Sequence, residues 1–147
     1  MKYEKYEVFV TNDEHTSFDF ASVGPKGKIA KRVMFLPTEN PEVISLAFGD
    51  LRTDGRIDDR AVTDNGDRNK VLATVAAIVS VYYEEHPQYW IAFQGSTVAR
   101  TRLYQMAISL NRKELFKTFH IHGVVAPGTI VPFTAEGRFD AFLIKRK

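Results

Sequence analysis

The 147 residues include no cysteine. Disulfides, thiolate metal sites, iron–sulfur clusters and a cysteine nucleophile are all excluded by that absence. Charge of one sign is also scarce: 20 Lys and Arg against 18 Asp and Glu leave +2 at pH 7. Net charge alone therefore does not indicate a nucleic-acid binder. Long apolar runs are missing, since the best helical candidate, residues 71–83, is too short and too interrupted to cross a bilayer. Lys2, Glu4 and Lys5 make the first five residues a charged segment with no apolar signal region. Neither Gly-x-x-x-x-Gly-Lys-Ser/Thr nor Gly-x-Ser-x-Gly occurs, which removes the phosphate-cradling loop and the nucleophile elbow. There is no internal repeat and no low-complexity tract.

What is present suffices for a core. A chain that is 44% hydrophobic and 12% aromatic predicts one folded domain over 1–147, with a cytoplasmic location and no membrane contact.

The plainest stretch runs from 67 to 110. Val71, Leu72, Val75, Ile78, Val79, Tyr82 and Tyr83 recur at three- and four-residue steps and share one helical face. Ala73, Thr74 and Ala77 fall on the other side, which the alanines leave open to partial cover. Asp67 or Asn65 is placed to cap the start, and Pro87 stops the helix. A strand over 89–94 follows, then Gly95-Ser96-Thr97, then a helix over 98–110 expected to turn Leu103, Met106, Ala107 and Leu110 inward. Ser96 or Thr97 supplies its cap.

Before this stretch, strands are expected over 6–11, 18–23, 28–36 and 43–48. Gly24-Pro25-Lys26-Gly27 forms a tight turn between the second and third. After it come a short helical turn following Asn111 and strands over 120–125, 130–134 and 139–145. The order β-β-β-β-α-β-α-β-β predicts an α+β fold: a mostly antiparallel sheet with two main helices packed on one face.

Four constellations bear on chemistry. A strand passing through Gly95-Ser96-Thr97 into a helix aims backbone N–H groups at whatever lies above the turn, and Arg100 and Arg102 follow. This is the best candidate site, an anion site of Gly95, Ser96, Thr97, Arg100 and Arg102, with Asp67 or Asp64 as metal ligand or base. The plainer reading is a cap, with both arginines paired to the acidic connection. Residues two apart on a helix do not share a face, so the two arginines do not form one clamp.

That connection carries Asp50, Asp54, Asp58, Asp59, Asp64 and Asp67. Its likeness to a calcium loop fails at Arg52 and Ala61, where ligands are required. A magnesium site from Asp58, Asp59, Asp64 and Asp67 is outweighed by a solvated loop. His120 and His122 point to one side of a strand, and the two-residue spacing is a weak zinc signal. Lys26, Lys28, Lys31 and Arg32 flank the first hairpin. There they protect a sheet edge without any ligand. No metal and no cofactor are expected.

The strings Gly24-Pro25-Lys26-Gly27-Lys28-Ile29, Leu46-Ala47-Phe48-Gly49-Asp50, Asn65-Gly66-Asp67 with Lys70-Val71-Leu72-Ala73-Thr74-Val75, and Gly95-Ser96-Thr97 with Arg100-Thr101-Arg102-Leu103-Tyr104 carry a resemblance. Together they are similar to an uncharacterised bacterial family, a domain of unknown function, across about 18–108. The resemblance implies a small bacterial cytoplasmic protein that stands as a whole chain, and no activity or catalytic residue is transferred by it. A looser likeness to the end of acetyltransferase domains fails, because the Gln/Arg-x-x-Gly-x-Gly/Ala loop is missing.

The leading expectation is thus a non-catalytic interaction protein. Its sheet edge or hairpin would bind a protein partner or a second copy as a homodimer, and a two-gene stress or defence module is one setting for such a chain. The competitor is an enzyme or binding protein for a phosphate-bearing molecule, RNA included, using the turn at Gly95–Thr97 with Arg100.

Overall fold

The computed structural model of the protein describes residues 3–58 and 65–147. Among these residues the fold is α+β: a mostly antiparallel sheet of nine strands with three helices. The chain divides into two compact units. One comprises Met1–Leu36 and Leu46–Pro87, the other Pro37–Ser45 and Gln88–Lys147.

The first unit holds β1 (Phe9–Val10), β2 (Ser17–Gly24), β3 (Gly27–Pro37, ending at the unit's edge), the Leu46–Leu51 portion of β4 (Val43–Leu51), β5 (Ile57–Asp58) and α1 (Arg68–Glu85). Alternation in β2 and β3 sends Phe18, Phe20, Val33 and Phe35 inward, all at most 3% exposed, as a strand buried on one face requires. The Phe35 ring stacks on Tyr82 of α1 at 3.9 Å between centroids. The helix face differs from expectation at its N-terminal half. Ala73 and Thr74 are buried there, whereas Val71, Leu72 and Val75 are half-buried. Small residues let the helix approach, and Thr74 has work at close range: its hydroxyl accepts from the Tyr6 N–H at 2.9 Å.

This contact explains a second difference. Residues 6–8 do not extend β1, because Tyr6 is held by α1 and by the start of that helix instead. The hairpin turn falls where Gly24-Pro25-Lys26-Gly27 puts it, with Gly24 opposite Gly27 and Gly27 at φ +89°.

The second unit holds the Val43–Ser45 portion of β4, β6 (Trp90–Phe93), α2 (Val98–Leu110), α3 (Arg112–Thr118), β7 (Phe119–Val125), β8 (Thr129–Pro132) and β9 (Ala141–Arg146). Its strand order is β4-β6-β9-β7-β8. The β4–β6 pair is parallel, and β6–β9, β9–β7 and β7–β8 are antiparallel. Ile91, Ile121, Ile144, Phe119 and Phe142 are buried on one face. The helices lie on that face: Tyr104 of α2 meets Phe93 edge-on at 6.0 Å, and Phe133 joins Phe116 of α3 to Phe142.

The inward side of α2 is the main correction. Thr101, Gln105 and Ile108 are buried, while Met106 is 54% and Leu110 73% exposed. Positions 101, 105 and 108 recur at helical spacing, so they form one face. The opposite face is Ala99, Leu103, Met106 and Leu110 with Ala107 beside them. The helix is turned with a largely polar stripe in, and of its apolar side Ala99, Met106 and Leu110 are exposed while Leu103 and Ala107 are half-buried.

Candidate functional site

Thr97 caps α2: its hydroxyl accepts from the Arg100 N–H at 3.2 Å. The Arg100 guanidinium donates to the Ser96 hydroxyl at 2.7 Å. Thr101 closes the turn from inside, donating to the Thr97 carbonyl at 3.1 Å and accepting from the Gly95 N–H at 3.1 Å. Gly95 is required there, since a Cβ would stand 2.5 Å from the Thr101 nitrogen. Arg102 points away from Arg100 and donates to the Gln105 side chain at 3.0 Å and the Gly137 carbonyl at 3.1 Å. Gln105 in turn donates to the carbonyls of Thr134, Ala135 and Gly137 at 3.1, 3.0 and 2.7 Å. The turn is thus a helix cap in which Gly95, Ser96, Thr97, Arg100 and Thr101 bond to one another. The polar face beneath it serves as a clamp on the segment 134–137, which explains why amide and hydroxyl groups occupy the buried side.

Asp67 belongs to the first unit and has a different task. Its Oδ2 accepts from the Tyr6 hydroxyl and from the Ser22 hydroxyl, each at 2.5 Å. Although Asp67 occupies the N-cap position of α1, its side chain makes no cap bond. Asn65, 2% exposed, donates to Ser22 at 3.1 Å and to the Gly27 carbonyl at 3.0 Å, and accepts from the Lys26 N–H at 2.7 Å. Two of the sequence strings, Gly24-Pro25-Lys26-Gly27 and Asn65-Gly66-Asp67, therefore meet. Burial and the hydrogen bond donated to Asp67 hold the Tyr6 phenol above its ordinary range of about 10.

The acidic connection is partly described. Asp59 and Asp64 lie outside the described residues. Arg52, Asp54 and Gly55 form the turn between β4 and β5, with the Gly55 N–H bonded to the Arg52 carbonyl at 3.0 Å and Gly55 at φ +84°. Among the described residues no group of three His, Asp or Glu is placed to hold a metal ion. Lys31, expected on a charged hairpin edge, is instead 7% exposed and pairs with Asp50 at 2.5 Å. Sequence pattern signals this only through parity, because Lys31 shares its face of the strand with Ile29 and Val33.

His120 and His122 share the face of β7 opposite Ile121. His120 is exposed; the His122 ring meets Trp90 edge-on at 5.7 Å, and its Nδ1 is buried without a hydrogen-bond partner. Lys145, opposite His120, lies over the Trp90 ring at 5.5 Å.

A family model matches residues 2–147. The chain belongs to DUF6934, a family of unknown function. The match extends past both ends of the strings that carry the resemblance, so both units of the DUF6934 chain fall inside it. No curated protein and no solved structure matches this DUF6934 chain. Among its described residues no helix is long and apolar enough to cross a membrane.

Proposed function

We propose that this DUF6934 chain is a non-catalytic interaction protein that associates with a second copy of itself through the outward face of α2. The observation that carries this reading is the orientation of that helix. Its apolar stripe, with Met106 and Leu110 exposed, faces away from its own unit, and apolar surface left in water favours association.

The occupant follows from the spacing. Ala99, Leu103, Met106 and Leu110 stand at intervals of four, three and four, which read the same in both directions. Paired antiparallel with a copy, Ala99 faces Leu110 and Leu103 faces Met106, small against large at one pair and matched at the other. Such a stripe is self-complementary, as a two-fold interface requires. Arg100 and Arg102 border it, and both guanidinium groups are bonded within their own chain. The alternative use of Gly95, Ser96, Thr97 and Arg100 for a phosphate gains no support from groups already bonded to one another.

The test is the mass in solution. Light scattering across a concentration series should give a dimer for the wild type and a monomer for Met106→Glu, with thermal unfolding of the dilute proteins alike. A wild type that stays monomeric at several hundred micromolar, or a Met106→Glu variant as dimeric as the wild type, would overturn it.

A further inference from the structure

The side of the second unit's sheet that faces away from α2 and α3 carries a different surface. Trp90, Leu143, Lys145, His120 and His122 share it by register, since Ala92 pairs with Leu143, His122 with Leu143 and His120 with Lys145. None is fully buried. None of the residues of β6, β7, β8 and β9 is acidic. Charge is polarised along the chain too. The second unit holds 9 Lys and Arg against 5 Asp and Glu, so the modest total of +2 conceals a basic half. Among the described residues Lys145 has no ion-pair partner, and its ammonium rests over the indole of Trp90. Beside it the fold leaves His122 Nδ1 unpaired.

We propose that this sheet face binds single-stranded nucleic acid, with a base stacked on Trp90 and the adjoining phosphates held by Lys145 and His120. Aromatic platforms on a strand surface stack bases without regard to sequence, and cations beside them track the backbone. A flexible lysine parked on the platform is displaced by a base and remains within reach of its phosphate. A duplex hides its base faces and offers the indole nothing. An acidic protein segment would answer the charge but not the ring. The proposal uses a surface apart from the α2 stripe and does not depend on self-association.

Trp90 is the chain's one tryptophan, so its fluorescence reports the site directly. The full chain is titrated at low salt with oligo(U) of about fifteen nucleotides, a length within reach of one binding surface. The same titration is run with a duplex of equal length and with polyglutamate. Saturable quenching by oligo(U) alone is expected, weakened at least about tenfold by Lys145→Glu and by added salt. His120→Glu, which sets a negative charge at an exposed position on the same face, provides a second variant should Lys145→Glu unfold, and its effect has the same sign. Absence of quenching at about 100 µM oligo(U), the weak end of non-specific binding, overturns the proposal. So does equal quenching by duplex or polyglutamate, or quenching that neither substitution changes.

Discussion

Lys31 sits on the inward side of β3 with 9% of its side chain exposed and Asp50 as its ion-pair partner. Removing one member of a buried pair costs the other its counter-charge, so Lys31→Ala is expected to cost about 3 kcal/mol in urea unfolding. The double change Lys31→Met with Asp50→Leu should recover most of that loss, because two apolar groups leave no charge behind. Tyr6 gives a pH-dependent counterpart. Its phenol titrates above its ordinary value in the folded chain because it is partly buried and donates to Asp67. The neutral form is favoured on folding, so this contribution is complete below about pH 10 and is lost as pH rises through the folded value. Tyr6→Phe should cost about 1 kcal/mol at neutral pH. The difference in unfolding free energy between the two proteins should then shrink above pH 10. Neither role was legible from composition. Lys31 reads as an edge charge, and Tyr6 as a strand residue, until the parity of β3 and the hydroxyl of Thr74 are taken into account.

At the scale of elements, periodicity told which residues share a face and not which way the face turns. For α1 the two questions have nearly one answer, because Ile78, Val79, Tyr82 and Tyr83 are both apolar and inward. For α2 they part. The stripe containing Leu103, Met106 and Leu110 is readable from spacing, yet Gln105 and Thr101 occupy the inner side. A single glutamine that reaches three backbone carbonyls of the segment 134–137, with Arg102 on the Gly137 carbonyl beside it, outweighs the burial of two apolar side chains. Gln105→Leu is therefore expected to destabilise the protein by about 2 kcal/mol, the cost of part-buried carbonyls that lose their donor. Thermal unfolding checks the sign, and amide exchange over 134–137 checks the cause. The strand-to-helix turn was legible as a cap, since Gly95, Thr97 and Thr101 are the residue types such a turn needs. The place of Arg102 was not, because its partner, the Gly137 carbonyl, lies 35 residues away.

For the whole molecule, the order of strands and helices was readable because turns and stops are local: Pro25 with Gly27, Pro87, and Gly95 through Thr97. The division into two units was not, since β4 contributes Val43–Ser45 to one and Leu46–Leu51 to the other without any break in the strand. Partition of charge between those units changes what a net value of +2 means. The function proposed for this DUF6934 chain rests on one orientation, the apolar side of α2 turned outward. Sedimentation equilibrium of the wild type beside Met106→Glu tests that most directly. The account predicts a reversible dimer that the glutamate converts to a monomer of unchanged fold. A wild type monomeric at every concentration, or a dimer indifferent to Met106→Glu, would contradict it.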